Sequence, residues 1–322
     1  MKIIYSADSH MGSWIQMNRI VKDLKDRGHE VIRCCGYYHP SEGELEWCWD
    51  GFDSLHELYK GLKGTSQRAV IKKITEETEG LGIDLILSDN ESIMSNIGTT
   101  LGIEVWQCSY SYSQVGINRF LKGNSRYRAI NDLNRRTICR LPASRKLIYS
   151  FLGDLDYSNS IKIKNGYEWV RPYCYMKKSN GDNNMAILND DRRRDKLEAL
   201  FRGQNEKIKI FGKRKDEDEY IKFLKESSWY FCLGATSYLA DAIYSGIKRI
   251  VVSPRLDDME SLMNAKYISK LKIGHDLGQI EKMGSYGLIE FEKTFKYNNR
   301  MFIGAEDIKL KDKLNPLLGD LM

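Results

Sequence analysis

The sequence predicts an α/β protein made of two doubly wound parallel-sheet domains. Its 322 residues are enough for two domains of about 150 residues each. The chain opens with a short apolar strand at Lys2–Ser6, an amphipathic helix that stops at Gly28, and a second strand at Val31–Cys34. The same alternation starts again at Met185–Leu188. Strand–helix–strand units of this kind build parallel sheets with helices on both faces.

The rest of the N-terminal half continues the alternation. Apolar runs predict buried strands at Asp84–Leu87 and Ile103–Gln107. Helical spacing is found through Gln67–Gly80 and Met94–Leu101. This half therefore reads as one doubly wound domain.

The C-terminal half repeats the pattern after Lys177–Asn184, a loop rich in charged and turn-forming residues. We place the domain boundary before this loop and predict domains at 1–176 and 177–322, with a last helix that is free to pack back on the N-terminal domain. The further strands are predicted at Lys207–Phe211, Trp229–Leu233 and Arg249–Val252, and the helices through residues 197–201, Tyr220–Lys225, Leu239–Tyr244 and Leu262–Leu271.

Composition excludes several classes of protein. Hydrophobic residues make up 42% and charged residues 29%, and no apolar run reaches the roughly 18–20 residues of a membrane span. The start of the chain lacks the apolar region of a signal peptide, so we expect a cytoplasmic protein. The seven cysteines are scattered and form no C-x-x-C pair, which argues against zinc and against a disulfide framework. We therefore expect no metal site.

The stretch Gly234-Ala235-Thr236-Ser237 has the chemistry of an anion site. It follows a predicted strand and opens a predicted helix. A glycine lets the backbone approach a phosphate, and the amides and dipole of the helix N-terminus favour negative charge. A capped helix after a strand, common in all α/β proteins, explains this loop alone equally well.

The longer stretch 231–278 resembles the donor-binding region of GT-B glycosyltransferases related to the UDP-glycosyltransferases and the peptidoglycan GlcNAc transferase. Their pattern runs roughly G-G-x-[ST]-[ST]-x-x-E-A, then G-x-P, then [DE]-Q-x-x-N-A and a later glycine. Two departures are an aspartate at position 241 and a serine at position 261, where the family has Glu and Gln. The matching residues are Gly234, Thr236, Ser237, Asp241, Ala242, Gly246, Pro254, Glu260, Asn264, Ala265 and Gly274.

The resemblance implies a GT-B fold, in which two Rossmann-like domains face across a cleft and the C-terminal one binds a nucleotide-sugar, here expected to be a UDP-sugar. It implies diphosphate contacts from Thr236 and Ser237, and contacts of Asp241 and Glu260 with ribose or sugar hydroxyls. No cofactor is required. The expected donor-binding residues are Gly12, Ser13, Gly212, Lys213, Gly234, Ala235, Thr236, Ser237, Asp241, Glu260 and Asn264.

The N-terminal half resembles the same family at the segment 27–31 (Arg-Gly-His-Glu-Val). The position of the family's catalytic histidine falls on Ser13, and the nearby histidine is His10. An inverting transfer needs a base that takes the proton of the acceptor hydroxyl. Polar side chains at the carboxyl ends of predicted parallel strands are the candidates, because open sheets bind ligands there. The candidate catalytic residues are Asp8, His10, Asp89 and Glu91.

Positive charge is concentrated between Val115 and Lys146. This segment holds nine basic residues and one acid, a charge of +8, so the remainder of the +6 chain carries −2. Tyr110, Tyr112 and Phe120 accompany these charges, a mixture that suits phosphate neutralisation and base stacking. The expected acceptor-binding residues are Arg119, Lys122, Arg126, Arg128, Arg135 and Arg136.

The sequence therefore predicts a glycosyltransferase, with inversion as the favoured mechanism and a hydroxymethylated pyrimidine in DNA as the favoured acceptor. Phage DNA glycosyltransferases carry out this reaction, and it requires flipping of the base. A second reading is transfer to a lipid-linked or soluble glycan, with the basic segment on an anionic membrane surface. A third is a catalytically inactive GT-B protein that binds DNA or a nucleotide-sugar.

Overall fold

The computed structural model describes residues 1–7, 11–35, 47–48, 65–89, 91, 93–109, 141–149, 167–170, 181–188, 190–202, 207–212, 216–247, 249–255, 258–271 and 273–282. These residues fall into two compact units, one with those up to Val170 and the other with those from Gly181 onwards. The predicted boundary at 176/177 lies outside the described residues and stays a prediction.

The first unit is a parallel sheet of seven strands, in the order β3-β2-β1-β4-β5-β6-β7. From β1 the chain adds β2 and β3 on one side of that strand, and then adds β4 to β7 on its other side. The strand order therefore reverses between β1 and β4. The strands are Lys2–Ala7 (β1), Glu30–Cys35 (β2), Trp47–Cys48 (β3), Leu85–Asp89 (β4), Glu104–Ser109 (β5), Arg145–Tyr149 (β6) and Tyr167–Val170 (β7). The described helices are Met11–Asp26 (α1), Thr65–Glu79 (α2) and Ile93–Leu101 (α3).

The first helix forms as its apolar spacing predicts. Met17, Ile20 and Leu24 of α1 are fully buried against the apolar side chains of β1 and β4. The helix ends at Gly28, whose φ of +87° is a left-handed conformation that favours glycine. The amide of His29 then donates to the carbonyl of Leu24 at 3.1 Å, which turns the chain into β2.

Three strands of this sheet, β3, β6 and β7, were not predicted. Arg145 and Lys146, which the charge count assigned to the basic segment, lie in β6 instead. The guanidinium of Arg145 lies 4.3 Å from the centre of the Trp106 ring in β5. These two charges therefore belong to the sheet, whereas the predicted acceptor residues 119–136 lie outside the described part of the chain.

The second unit is a parallel sheet of five strands, in the order β12-β11-β10-β8-β9. Its strand order reverses between β8 and β10. The strands are Asn183–Ile187 (β8), Lys209–Phe211 (β9), Ser227–Cys232 (β10), Arg249–Val252 (β11) and His275–Asp276 (β12). The described helices are Asp191–Arg202 (α4), Glu217–Glu226 (α5), Thr236–Tyr244 (α6) and Met259–Lys270 (α7), and a short 3-10 helix follows at Ile280–Lys282.

The core of the second unit confirms the predicted alternation of strands and helices. Leu197, Leu200 and Phe201 of α4 pack with alternate residues of β10, including Phe231. The rings of Phe201 and Trp229 meet edge to face at 6.1 Å. Such packing fixes the carboxyl ends of β8 and β10, which position the candidate site.

Candidate functional site

The loop from β10 to α6 lies at the point where the strand order of the second sheet reverses. Open parallel sheets bind ligands outside the carboxyl ends of their strands at this point. Gly234 in this loop has φ +98°. A Cβ at Gly234 would lie 2.8 Å from Cγ1 of Val252 and 3.0 Å from the backbone oxygen of Ser261. The glycine therefore allows the loop to pack tightly against β11 and α7.

Four of the predicted donor-binding residues form one hydrogen-bonded cluster, which we call the donor cluster: Gly234, Thr236, Glu260 and Asn264. The backbone amide and the hydroxyl of Thr236 both donate to Oε1 of Glu260, at 2.9 and 2.7 Å. Nδ2 of Asn264 donates to the carbonyl of Gly234 at 2.9 Å and to the hydroxyl of Thr236 at 3.2 Å. Residues 24 to 30 positions apart in the sequence thus meet at the start of α6.

The N-terminus of α6 holds a carboxylate from another helix. Its N-cap residue, Ala235, makes no side-chain capping bond. The carboxylate of Glu260, from α7, accepts the first amide of the helix instead. Ser237 is buried beside it in the first turn. A helix terminus that attracts a carboxylate can attract a phosphate by the same amides and dipole.

Helix α7 presents Glu260 because its own start is capped by another acid. The carboxylate of Asp258 accepts the amide of Ser261 at 3.1 Å and its hydroxyl at 2.5 Å. Ser261 is fully buried. The position at which the resembling family has glutamine is therefore part of a helix cap.

The structure places Asp241 in the interior of the second unit, and its predicted contact with a ligand hydroxyl stays a prediction. Asp241 is fully buried, and the other residues of α6 are buried as well. The hydroxyl of Tyr220 donates to its Oδ2 at 2.8 Å and lies 3.0 Å from the hydroxyl of Tyr230. Burial, and then the neighbouring Cys232 and Asp241, raise the pKa of Tyr230 well above its usual value. Asp241 is thus an interior partner of the Tyr220 hydroxyl.

The remaining predicted donor-binding residues lie outside the donor cluster. Gly12 and Ser13 lie in the first turn of α1, which begins at Met11. Gly212 directly follows β9, as predicted, whereas Lys213 lies outside the described residues.

Sequence reasoning missed two arginines in the first turn of α4. Arg193 is 4% exposed, and its guanidinium pairs with Glu281 at 2.5 Å and donates to the carbonyl of Ser253 at 3.1 Å. Ser253 in turn donates its amide to Cys232, at the end of β10. This chain of contacts braces the strand that leads into the donor cluster.

Arg194, the second of these arginines, lies beside Gly212, with Nη2 3.6 Å from the position of a Cβ there. Its buried Nε has no hydrogen-bond partner in the described part of the chain. Arginines in the first turn of a helix are unfavourable, because the helix dipole is positive there. This unfavourable placement was the feature of the sequence that could have indicated a functional role. Arg194 places a cation at the carboxyl ends of β8 and β9.

In the first unit, Glu91 is a helix cap rather than an exposed base. Its Oε2 accepts the hydroxyl of Ser6 and the amide of Met94, both at 2.9 Å, and its Oε1 accepts the amide of Ile93. The side chain is buried at the start of α3. Proton transfer to this carboxylate would weaken those bonds, and its catalytic role stays a prediction.

Asp89 is also buried, at the end of β4. Tyr5 donates its hydroxyl to Oδ2 of Asp89 at 3.1 Å. Asp89 pairs in register with Ala7, the last residue of β1. The other two candidates, Asp8 and His10, follow directly in the sequence but lie outside the described residues. The catalytic assignment of these three residues stays a prediction.

Two negative findings apply to the described residues alone. They contain no group of three or more His, Cys, Asp and Glu side chains that could hold a metal ion. Among the described helices, none is long and apolar enough to cross a membrane. The buried Cys232, at the end of β10, has its pKa raised to about 12 by burial and is therefore a poor nucleophile.

No family model matches the sequence, and no curated protein matches it significantly. Among solved structures, the chain is similar to the glycosyltransferase VinC in complex with dTDP, with TM-score 0.63 and 9% identity over 100% of this chain and 98% of that one. The spinosyn rhamnosyltransferase SpnG with thymidine diphosphate gives 0.59 and 12% over 98% and 96%. MurG of Acinetobacter baumannii gives 0.56 and 12% over 98% and 96%.

These similarities show the fold. They extend over nearly the whole chain, and the matched proteins are GT-B glycosyltransferases. The chain thus has the GT-B fold, which confirms the fold class predicted from the sequence.

Proposed function

We propose that this protein is a glycosyltransferase that takes a sugar from a nucleotide-sugar bound by its second unit. The observation that carries the proposal is the donor cluster. Gly234, Thr236, Glu260 and Asn264 meet at the start of α6, where the strand order of the sheet reverses. The similar structures include two complexes with the same nucleoside diphosphate, thymidine diphosphate (dTDP).

The donor's diphosphate would be held by helix and side-chain groups. The amides at the start of α6 and the Thr236 hydroxyl can donate to its oxygens, and Arg194 supplies positive charge at the same edge of the sheet. These groups can neutralise a diphosphate without a metal, so the proposal requires no cofactor. UDP is the expected nucleotide. Thymidine diphosphate (dTDP), which the similar structures contain, is the second nucleotide to test.

For the acceptor we propose a hydroxymethylated pyrimidine base in DNA. The support is the basic segment of the sequence, where Arg119, Lys122, Arg126 and their neighbours concentrate the positive charge of the chain. Transfer to a lipid-linked or soluble glycan and binding without catalysis are the competing functions.

For the catalytic base of an inverting transfer we propose Asp8 or His10. Both follow β1, and the described alternatives at the neighbouring strand end are engaged elsewhere. Glu91 caps α3, and Asp89 is buried against the hydroxyl of Tyr5. Asp8 directly follows Ala7 in the sequence, and Ala7 pairs with Asp89 at the end of β4.

A mass measurement tests this function. The protein is incubated with DNA containing hydroxymethylcytosine or hydroxymethyluracil and with a panel of UDP- and dTDP-sugars, and the digested nucleosides are weighed. We expect the mass of one hexose or pentose on the modified base and none on cytosine or thymine. DNA binding is expected to weaken steeply with salt, because it depends on phosphate contacts.

Other outcomes separate the competing functions. Hydrolysis of a nucleotide-sugar without any gain of mass on DNA would support a glycosyltransferase with another acceptor. Donor binding without hydrolysis or transfer would support an inactive binding protein. If Asp8→Asn and His10→Gln both keep the full rate while Asp89→Asn abolishes it, our assignment of the base is wrong.

A further inference from the structure

Thr236 directs both of its hydrogen-bond donors at a single carboxylate oxygen. Its backbone amide and its hydroxyl lie 2.9 and 2.7 Å from Oε1 of Glu260. This amide is the first of α6, where the helix dipole favours negative charge. Glu260, which comes from α7, thus makes the contacts that a phosphate oxygen would make at this helix.

We propose that Glu260 competes with the donor's phosphate for Thr236, so that this carboxylate moves away when the donor binds. The inference rests on the proposed function. The amide and the hydroxyl of Thr236 have one hydrogen each, and each hydrogen serves one strong acceptor at a time. Two anions on the same amide would also repel each other. Phosphate binding at Thr236 therefore requires Glu260 to leave.

Asn264 gives an independent sign of a ligand at this place. The residue is 1% exposed, and its Nδ2 is bound to Gly234 and Thr236. Its Oδ1 is buried and has no hydrogen-bond partner among the described residues. Buried polar atoms without a partner are rare in proteins. An acceptor oxygen that needs a donor, next to the phosphate position, indicates a ligand that carries hydroxyl groups.

The competition distinguishes a nucleotide-sugar from a nucleoside diphosphate. A nucleoside diphosphate that displaces Glu260 breaks the contacts between Glu260 and Thr236 and offers no sugar hydroxyls to replace them. With a nucleotide-sugar, the released carboxylate of Glu260 and Oδ1 of Asn264 can accept sugar hydroxyls. Once the sugar has been transferred, Glu260 regains its contacts with Thr236 and helps to expel the spent nucleotide.

The test is calorimetric titration of wild type and Glu260→Gln with UDP, dTDP, UDP-glucose and dTDP-glucose. The amide keeps the shape of the side chain but removes its charge. We expect the variant to bind the nucleoside diphosphate about tenfold more tightly, and the nucleotide-sugar with less than about a threefold change. Glu198→Gln on α4 is the matched control, because it removes the same charge from a pair with Arg202 on the outer side of that helix. We expect it to leave both affinities unchanged.

Glu260→Asp gives a second test that does not depend on the fold of the first variant. Its shorter side chain withdraws the carboxylate from Thr236, so tighter binding of the nucleoside diphosphate is again expected. Variants that bind the nucleoside diphosphate no better than wild type does would overturn the competition and leave the proposed function standing. A wild-type protein that binds none of the four ligands would overturn both.

Discussion

The two units begin a helix at the same topological place but cap it in different ways. In the first unit, α3 is capped by Glu91, which lies two positions before the first helical residue and accepts hydrogen bonds from the amides of Ile93 and Met94. In the second unit, the first amide of α6 is accepted by Glu260, 24 residues away on another helix. A local cap is part of the helix and cannot leave without fraying it. A remote cap can move away while the helix stays intact.

This difference indicates different roles for Glu91 and Glu260. Glu91 also accepts the hydroxyl of Ser6 and is buried, so it belongs to the fold of the first unit. Glu260 is held by contacts that a ligand can replace. The comparison therefore separates a structural carboxylate from one that can take part in binding, although both looked alike in the sequence.

The largest effect is expected for Gly234→Ala, which tests how tightly the donor cluster is packed. A Cβ there would lie 3.0 Å from the backbone oxygen of Ser261, and the φ of +98° is unfavourable for alanine. Overpacking and the left-handed conformation together are expected to lower the free energy of unfolding by about 3 kcal/mol. Chemical denaturation measures this change.

Gly98→Ala in α3 is the matched substitution in the first unit. A Cβ there would meet the ends of two side chains, Cδ1 of Ile86 and Cγ2 of Val105, each at 2.6 Å. Side-chain ends can shift, and alanine is favoured over glycine within a helix by about 1 kcal/mol. We expect a net loss of about 1 kcal/mol. An equal loss in the two variants would contradict the view that the backbone contacts at Gly234 yield less easily than the side-chain contacts at Gly98.

An intermediate effect is expected for Glu281→Ala, which removes the partner of the buried Arg193. The free energy of unfolding should fall by about 2 kcal/mol, less than for a fully buried pair because Glu281 is 30% exposed. Glu219→Ala, which breaks the exposed pair with Lys209, is the control and should cost less than about 1 kcal/mol. Thermal unfolding of the three proteins compares them. Equal losses would show that the brace behind β10 adds no more stability than an exposed ion pair.

The smallest effects are expected for the two substitutions that weaken the helix caps, Glu91→Gln and Glu260→Gln. Glu91→Gln is expected to lower the free energy of unfolding by about 1 kcal/mol, because it weakens a buried local cap. Glu260→Gln should cost less, since the donor cluster can rearrange around it. Denaturation in urea provides both values. A greater loss for Glu260→Gln would mean that the remote cap is the more important one for stability, contrary to the comparison.

Much of the fold could be predicted from the sequence, because strand and helix periodicities reflect which faces are buried. The alternation from Met185 onward and the end of α1 at Gly28 were both found this way. Strands β3, β6, β7 and β12 were missed. Basic residues such as Arg145 do not show the apolar pattern of a strand, and its packing on Trp106 is a contact between distant residues.

The site was predicted in part, and the reason is similar. Thr236, Glu260 and Asn264 were found through a spaced resemblance, which carries information about long-range contacts. The buried position of Asp241 depends on Tyr220, a residue outside that pattern. Nor can the sequence show that Glu91 caps a helix, because a carboxylate after a strand has the same appearance whether it binds a ligand or an amide.

The central claim is that the donor's diphosphate binds at the start of α6 and not at the start of α3. Amide chemical shifts in a nuclear magnetic resonance titration with UDP and dTDP test it most directly. We predict that the backbone amide of Thr236 and the side-chain amide of Asn264 shift with the nucleotide that binds, while those of Ile93 and Met94 stay in place. Shifts at Ile93 and Met94 without any at Thr236 would contradict the account.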